Sequence, residues 1–202
     1  MHSHKITTGL GALGVAVGLA LMAPGAMAQT ETPDATSQSG AAAVGGDSAL
    51  AVFTNVEGSE LGSVTLTPHH DGGVSIAGGL REISPGEHGI HFHQTGSCDT
   101  ASAFDSAGSH FNPTDMAHGL DNEDGPHLGD LPNVTAAEDG TVTIDLTSTR
   151  VSLHEGDEGY LFDDDGTAIV IHAAADDQVT DPSGNSGDRI ACAVVEPGAA
   201  VE

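Results

Sequence analysis

Seven of the chain's 12 histidines fall between Gly89 and His172, opening with His91-Phe92-His93 and continuing through His110, His118, His127, His154 and His172. Imidazole is the commonest metal ligand among side chains and suits copper, zinc, iron and nickel alike, so spacing and neighbours must select among them. His91 and His93 stand at i and i+2; on a strand both rings project from one face, and two neutral imidazoles can then reach one ion. By itself a His-x-His pair is a weak motif, because paired histidines on a strand face are often plain surface residues. His172 ends a separate apolar run, Ala168-Ile169-Val170-Ile171, and adds a third nitrogen if that strand lies close by. His110, His118, His127 and Asp130 follow one another at separations of 8, 9 and 3 residues. A loop with that spacing can wrap one ion, and three imidazoles with one carboxylate make the closed tetrahedral set of structural zinc. If these were merely solvated histidines, the long polar loop would have no reason to be ordered.

Such ligands need strands to hold them. Apolar residues alternate or cluster over strand-length windows at 49–56, 61–67, 74–80, 89–93, 133–137, 141–146, 167–172 and 190–195. Turn signals separate them, among them Asp71-Gly72-Gly73, Glu138-Asp139-Gly140 and Asp164-Asp165-Gly166, and no stretch of ten or more residues carries a helical apolar stripe. The expected fold is all-β, a Greek-key sandwich or flattened barrel with two long functional loops, 94–131 and 173–188. The first loop holds the second histidine group and two of the five phenylalanines.

With 202 residues, one domain is expected. Four basic residues against 30 acidic ones give a formal charge of −26, which excludes nucleic acid and anionic membrane surfaces as partners. The acids are dispersed rather than gathered in a tail. A protein adapted to concentrated salt has this surface, and so does an acidic protein whose charge serves solubility. Residues 1–28 read as a secretory signal peptide: a weakly basic start, an apolar run interrupted by glycines, and Ala26-Met27-Ala28 as the cleavage pattern. Residues 29–48 read as a disordered leader, and 49–202 as the folded domain. Cleavage removes Lys5 and leaves Arg81, Arg150 and Arg189 as the fixed cations, so each becomes a candidate for a local task. The chain is thus expected in the periplasm or outside the cell, without a membrane anchor. In that oxidising setting its two cysteines, Cys98 and Cys192, should form a single disulfide.

Gly89-Ile90-His91-Phe92-His93, Ser106-Ala107-Gly108-Ser109-His110-Phe111-Asn112-Pro113, His118-Gly119, His127-Leu128-Gly129-Asp130-Leu131-Pro132-Asn133-Val134 and Gly187-Asp188-Arg189-Ile190-Ala191-Cys192 together resemble copper/zinc superoxide dismutase. The resemblance runs from about residue 49 to 195. The position of Cys98, five residues after His93 and 12 before His110, is similar to the bacterial exported branch. The resemblance implies copper on His91, His93, His110 and His172, zinc on His110, His118, His127 and Asp130, and His110 as a bridge between them. It further implies that Asp176 bonds one histidine of each group, that Arg189 overhangs the copper, and that the Cys98–Cys192 disulfide holds Arg189 in place. The implied reaction is disproportionation of superoxide, with His110 delivering a proton. The segment between His172 and Arg189 lacks the lysines that often flank the channel, which leaves Arg189 nearly alone to attract an anion. His69, His70, His88 and His154 match no ligand of the family and read as surface or turn histidines, with His69-His70 a weak motif for an extra copper. Tyr160 reads as packing. The competing function is a non-enzymatic exported copper or zinc carrier on the same fold; the presence of His110, Asp176 and Arg189 favours the enzyme. Monomer and homodimer are both compatible with the sequence.

Overall fold

Period-2 alternation sets which side chains turn inward. β1 (Ala49–Asn55) buries Ala49, Ala51 and Phe53, β3 (Val74–Leu80) buries Val74, Ile76 and Leu80, and β7 (Val142–Ser148) buries Val142 and Ile144. The remaining strands are β2 (Glu60–Pro68), β4 (Gly86–His88), β5 (Ile90–His93), β6 (Val134–Ala136), β8 (Ala168–His172) and β9 (Arg189–Pro197). The computed structural model describes residues 47–198. The expected signal peptide and the expected leader up to residue 46 lie outside the described residues.

Among the described residues all nine strands form one sheet in the order β4-β6-β7-β3-β2-β1-β9-β8-β5, every neighbouring pair antiparallel. The two edge strands, β4 and β5, are consecutive in sequence with only Gly89 between them. The edges of the sheet therefore begin one residue apart, and the sheet curls into a flattened, nearly closed barrel. The expected all-β class is the one observed. β4 was not legible as a strand, because Gly86-Glu87-His88 carries no apolar alternation and owes its pairing to Val134–Ala136 across the fold. Residues 149–167 form a further long connection, steadied by the edge-to-face pair of Tyr160 and Phe162 at 5.7 Å. Tyr160 thus packs, as its sequence context suggests. Among the described residues no helix is long and apolar enough to cross a membrane.

The barrel interior is filled by Phe53, Leu66, Ile76, Ile90, Phe92, Ile144, Ile169 and Ile171 with their neighbours. A smaller cluster of Phe104, Ala107, Ala168, Val170 and Cys192 seats the first long loop on β8 and β9. Beside it Cys98 and Cys192 are joined in a disulfide spanning 94 residues of sequence. Closing so long a loop stabilises the fold by about 4–5 kcal/mol in the chain-entropy account.

Candidate metal centre

β5 supplies the first two histidines. Ile90 and Phe92 face the core, so alternation turns His91 and His93 to the opposite face. An edge strand must have its open hydrogen-bonding groups met. Here the first long loop meets them: Phe92 donates its amide to the Gly129 carbonyl at 2.9 Å, Phe111 to the Phe92 carbonyl at 2.8 Å, and Gln94 to the Ser109 carbonyl at 2.9 Å. This pairing places Asp130 opposite His91 and His110 opposite His93. Gly129 allows the approach, since a Cβ there would lie 2.5 Å from the Phe92 carbonyl oxygen. On the other edge of β5, β8 runs antiparallel and brings in His172, whose register partner on β9 is Arg189.

His91, His93, His110 and His172 come together, each offering a donor atom within 4.8 Å of the others, all four residues buried. One nitrogen of each ring has a partner. His91 Nε2 lies 2.5 Å from Asp176 Oδ2, His93 Nδ1 3.0 Å from the Gly108 carbonyl, and His172 Nδ1 3.1 Å from the Gly187 carbonyl, while His110 Nδ1 lies 3.1 Å from Asp130 Oδ1. The other nitrogens, His91 Nδ1 and Nε2 of His93, His110 and His172, are buried with no hydrogen-bond partner. A buried polar atom left unpaired costs about 1–3 kcal/mol, so four of them in one cluster fit a cation. Burial also keeps these rings neutral with free lone pairs: it lowers His91 to about 3, His172 to about 4, and His93 well below the usual value.

The second group closes around one carboxylate oxygen. Asp130 Oδ1 lies 3.1, 3.0 and 3.3 Å from the Nδ1 atoms of His110, His118 and His127, and the Nδ1 atoms of His110 and His127 are 3.3 Å apart. A tetrahedron with metal–ligand bonds of about 2.0–2.1 Å has edges of about 3.3 Å, so these donors already stand near the separations zinc requires. Asp130 Oδ2 accepts the amides of Gly119 at 2.8 Å and His127 at 3.0 Å, which fixes the carboxylate. Burial alone would raise the Asp130 carboxyl, but hydrogen bonds from His110, His118 and His127 hold it well below the usual range. Burial lowers His118, yet its bonds to Asp130 and Asp176 outweigh that and bring it up to about 9.

Asp176 ties the two groups, its carboxylate reaching His91 Nε2 and, at 3.1 Å, His118 Nε2. Asn133 holds it from behind: Asp176 donates its amide to Asn133 Oδ1 and Asn133 Nδ2 donates to the Asp176 carbonyl, both at 2.9 Å. Gly184, at φ +61, leaves the space for it, since a Cβ there would sit 1.7 Å from Asp176 Oδ1. Gly184→Ala should therefore displace Asp176 and weaken binding of both metals by about 10–100-fold, as losing an outer-shell partner does; competition with a chromogenic chelator measures it, and unchanged affinities would contradict the placement.

Arg189 donates from Nη1 to the Phe104 carbonyl at 2.6 Å and from Nη2 to the Gly108 carbonyl at 2.7 Å. The same Gly108 oxygen faces His93 Nδ1. Ala103 and Phe104 adopt left-handed φ angles of 49° and 67°, a strain of about 1–2 kcal/mol per residue that turns the Phe104 carbonyl toward the guanidinium. Arg189 also lines a surface depression of about 810 Å³ with Glu57, Glu82, Asp105 and Asp188.

Two residues stand apart from their sequence reading. His88 is a buried residue, 2% exposed, not a surface or turn histidine. Its Nδ1 lies 2.7 Å from the His172 carbonyl and its Nε2 2.7 Å from the Ser84 carbonyl, so it braces β4 against the end of β8. Arg150, whose task the sequence left open, donates Nη2 to the Asp130 carbonyl at 2.5 Å. Neither was legible, because each depends on a backbone carbonyl from a distant segment. His69 is half-buried, and His70 and His154 are exposed.

The metal-free chain has a defined acid response. An unfolded chain takes up protons on histidine as pH falls through about 6.5, whereas folded His91, His93 and His172 resist protonation. Stability therefore drops from pH 6.5 toward 4 on the histidines, and below about pH 4, the unfolded carboxyl value, loss of the depressed Asp130 and Asp176 carboxylates lowers it further. His118, being raised, contributes fully below 6.5 and loses its contribution as pH rises through about 9. Denaturation midpoints of chelated protein between pH 4 and 7 check this; a flat profile would contradict it.

The chain matches the family described as copper/zinc superoxide dismutase (SODC) over residues 60–195. It is 40% identical over 148 residues to superoxide dismutase [Cu-Zn] 2 of Aquifex aeolicus, covering 73% of this chain and 85% of that one. It is 43% identical over 153 residues to superoxide dismutase [Cu-Zn] of Caulobacter vibrioides, covering 74% and 86%. Among solved structures, a double mutant of a SOD-like protein from Bacillus subtilis superposes with a TM-score of 0.70 at 39% identity, covering 75% of this chain and 97% of that one. The chain belongs to the copper/zinc superoxide dismutase family, whose members use copper and zinc.

Proposed function

We propose that the chain disproportionates superoxide, two superoxide ions and two protons giving one dioxygen and one hydrogen peroxide. In this reading His91, His93, His110 and His172 hold copper, and His110, His118, His127 and Asp130 hold zinc. The observation that carries it is the set of four unpaired imidazole nitrogens, one of them on the ring whose other nitrogen faces Asp130. When bound, copper supplies one-electron redox chemistry through an all-nitrogen site, and zinc supplies fixed charge without redox.

The chain's own residues do the rest. His110 presents Nε2 to the first group while Asp130 engages Nδ1, so Nε2 is the atom at which a proton is held and handed on. Asp176 fixes the tautomers of His91 and His118 by accepting from their Nε2 atoms. Arg189 attracts the anion, and its two carbonyl contacts hold it in place. The Cys98–Cys192 disulfide anchors the loop that carries both carbonyls.

Export fits the same reading. Residues 1–28 act as a cleaved signal peptide, 29–48 as a leader and 49–202 as the working domain, in the periplasm or outside the cell; the disulfide is compatible with that setting. The mature protein works as a monomer or homodimer without nucleic-acid or membrane partners, and its acidic surface suits a saline medium.

Two variants test the ligand assignment. Asp130→Ala should lose zinc and keep copper, and His172→Ala should lose copper and keep zinc, read by metal analysis after loading. Loss of the same metal in both would contradict it.

A further inference from the structure

Among the described residues outside the centre above, one cluster of ligand-type side chains is left unused, in the turn between β2 and β3. His69, His70 and Asp71 each offer a donor atom within 4.8 Å of the others. The sequence pairs only the two histidines, and a pair is a weak motif. Asp71 follows directly in sequence, and the turn brings its carboxylate within reach as a third donor. His70 Nε2 stands 3.0 Å from Asp71 Oδ2, close to the spacing of adjacent ligands on one ion at bonds of about 2.0–2.1 Å. The His69 and His70 rings are tilted together with centroids 4.3 Å apart. The backbone holds the set: His69 donates its amide to the Gly73 carbonyl at 3.0 Å and Gly72 donates to the His69 carbonyl at 2.9 Å. The turn thus carries all three donors on one short segment with a hydrogen-bonded backbone, and little chain must be ordered when an ion arrives.

We propose that His69, His70 and Asp71 form a third metal site, exposed and exchangeable, that takes one divalent transition-metal ion and prefers Cu(II) over Zn(II). Two imidazoles and a carboxylate suit Cu(II), which stands above Zn(II) in affinity for such donors, and they do not suit Mg(II) or Ca(II). Three ligands leave coordination positions open to water. A chain with 30 carboxylates and four fixed cations concentrates cations at its surface, which helps the site fill.

The test uses the full chain with His2 and His4 replaced by alanine in every arm, and both buried groups already loaded with zinc and copper. Titration with Cu(II), followed by calorimetry and electron paramagnetic resonance, should show one further equivalent carrying nitrogen hyperfine structure. His69→Ala/His70→Ala should abolish that signal or weaken binding more than about tenfold, since loss of an outer-shell partner alone costs about 10–100-fold. Asp71→Asn should weaken it less, and Zn(II) should compete poorly. Superoxide decay and the buried copper signal should be unchanged in these variants. The proposal is overturned if no further equivalent binds, or if it binds equally in the double variant, which would place it on His154 or other surface groups.

Discussion

His110→Ala should abolish most superoxide turnover and release zinc at the same time, a double loss that no other single histidine replacement should produce. His110 is the one ring shared by the two groups, with Nδ1 3.1 Å from Asp130 Oδ1 and Nε2 buried without a partner among the nitrogens of His91, His93 and His172. Removing a direct ligand should weaken zinc by more than the about 10–100-fold that an outer-shell loss costs. The rate constant for superoxide decay should fall at least about a hundredfold, because the donor of a positioned proton is worth about 10²–10⁴. His127→Ala is the control. It touches only the group around Asp130, so it should lose zinc and keep most of the decay rate on copper-loaded protein. Equal behaviour of the two variants would show that His110 has no bridging role.

Arg189→Ala should slow superoxide decay about tenfold at low ionic strength and far less in molar salt. The substrate is an anion meeting a chain of 30 acidic and four basic residues, and Glu57, Glu82, Asp105 and Asp188 line the depression on which Arg189 opens. Electrostatic steering changes encounter rates by about 10–10³-fold, and the screening length shrinks from about 30 Å at 0.01 M to about 3 Å at 1 M salt. Pulse radiolysis across that range measures the slope. A deficit independent of salt would assign Arg189 to holding the Gly108 and Phe104 carbonyls instead of attracting the substrate.

How far the sequence spoke for itself differs by residue. The long strands were legible because their apolar residues alternate, and the histidine groups because ligand types recur at spacings a strand and a loop can use. Spacing did not reveal that β5 is an edge strand whose open side pairs with the loop, yet that pairing sets Asp130 opposite His91. Asp176 came from family resemblance alone, since a lone aspartate carries no signal, whereas the scarcity of cations marked Arg189 as a candidate and the resemblance supplied its role. Asn133, Arg150 and His88 stayed hidden for a common reason: each acts on a backbone group supplied by a distant segment, such as the Asp130 carbonyl for Arg150 or the Asp176 amide for Asn133; Gly184 stayed hidden because only the folded loop brings its α-carbon against the Asp176 carboxylate. Sequence patterns report which face a side chain takes, and tertiary contact decides what it meets there.

Superoxide decay, followed directly by absorbance on the chain from residue 29 onward loaded with one copper and one zinc, is the most direct measurement. Decay should be second order overall, accelerated far above the chelated protein and restored by adding back both metals. Protein that binds both metals yet leaves the decay no faster than its chelated form would contradict the enzyme and establish a carrier.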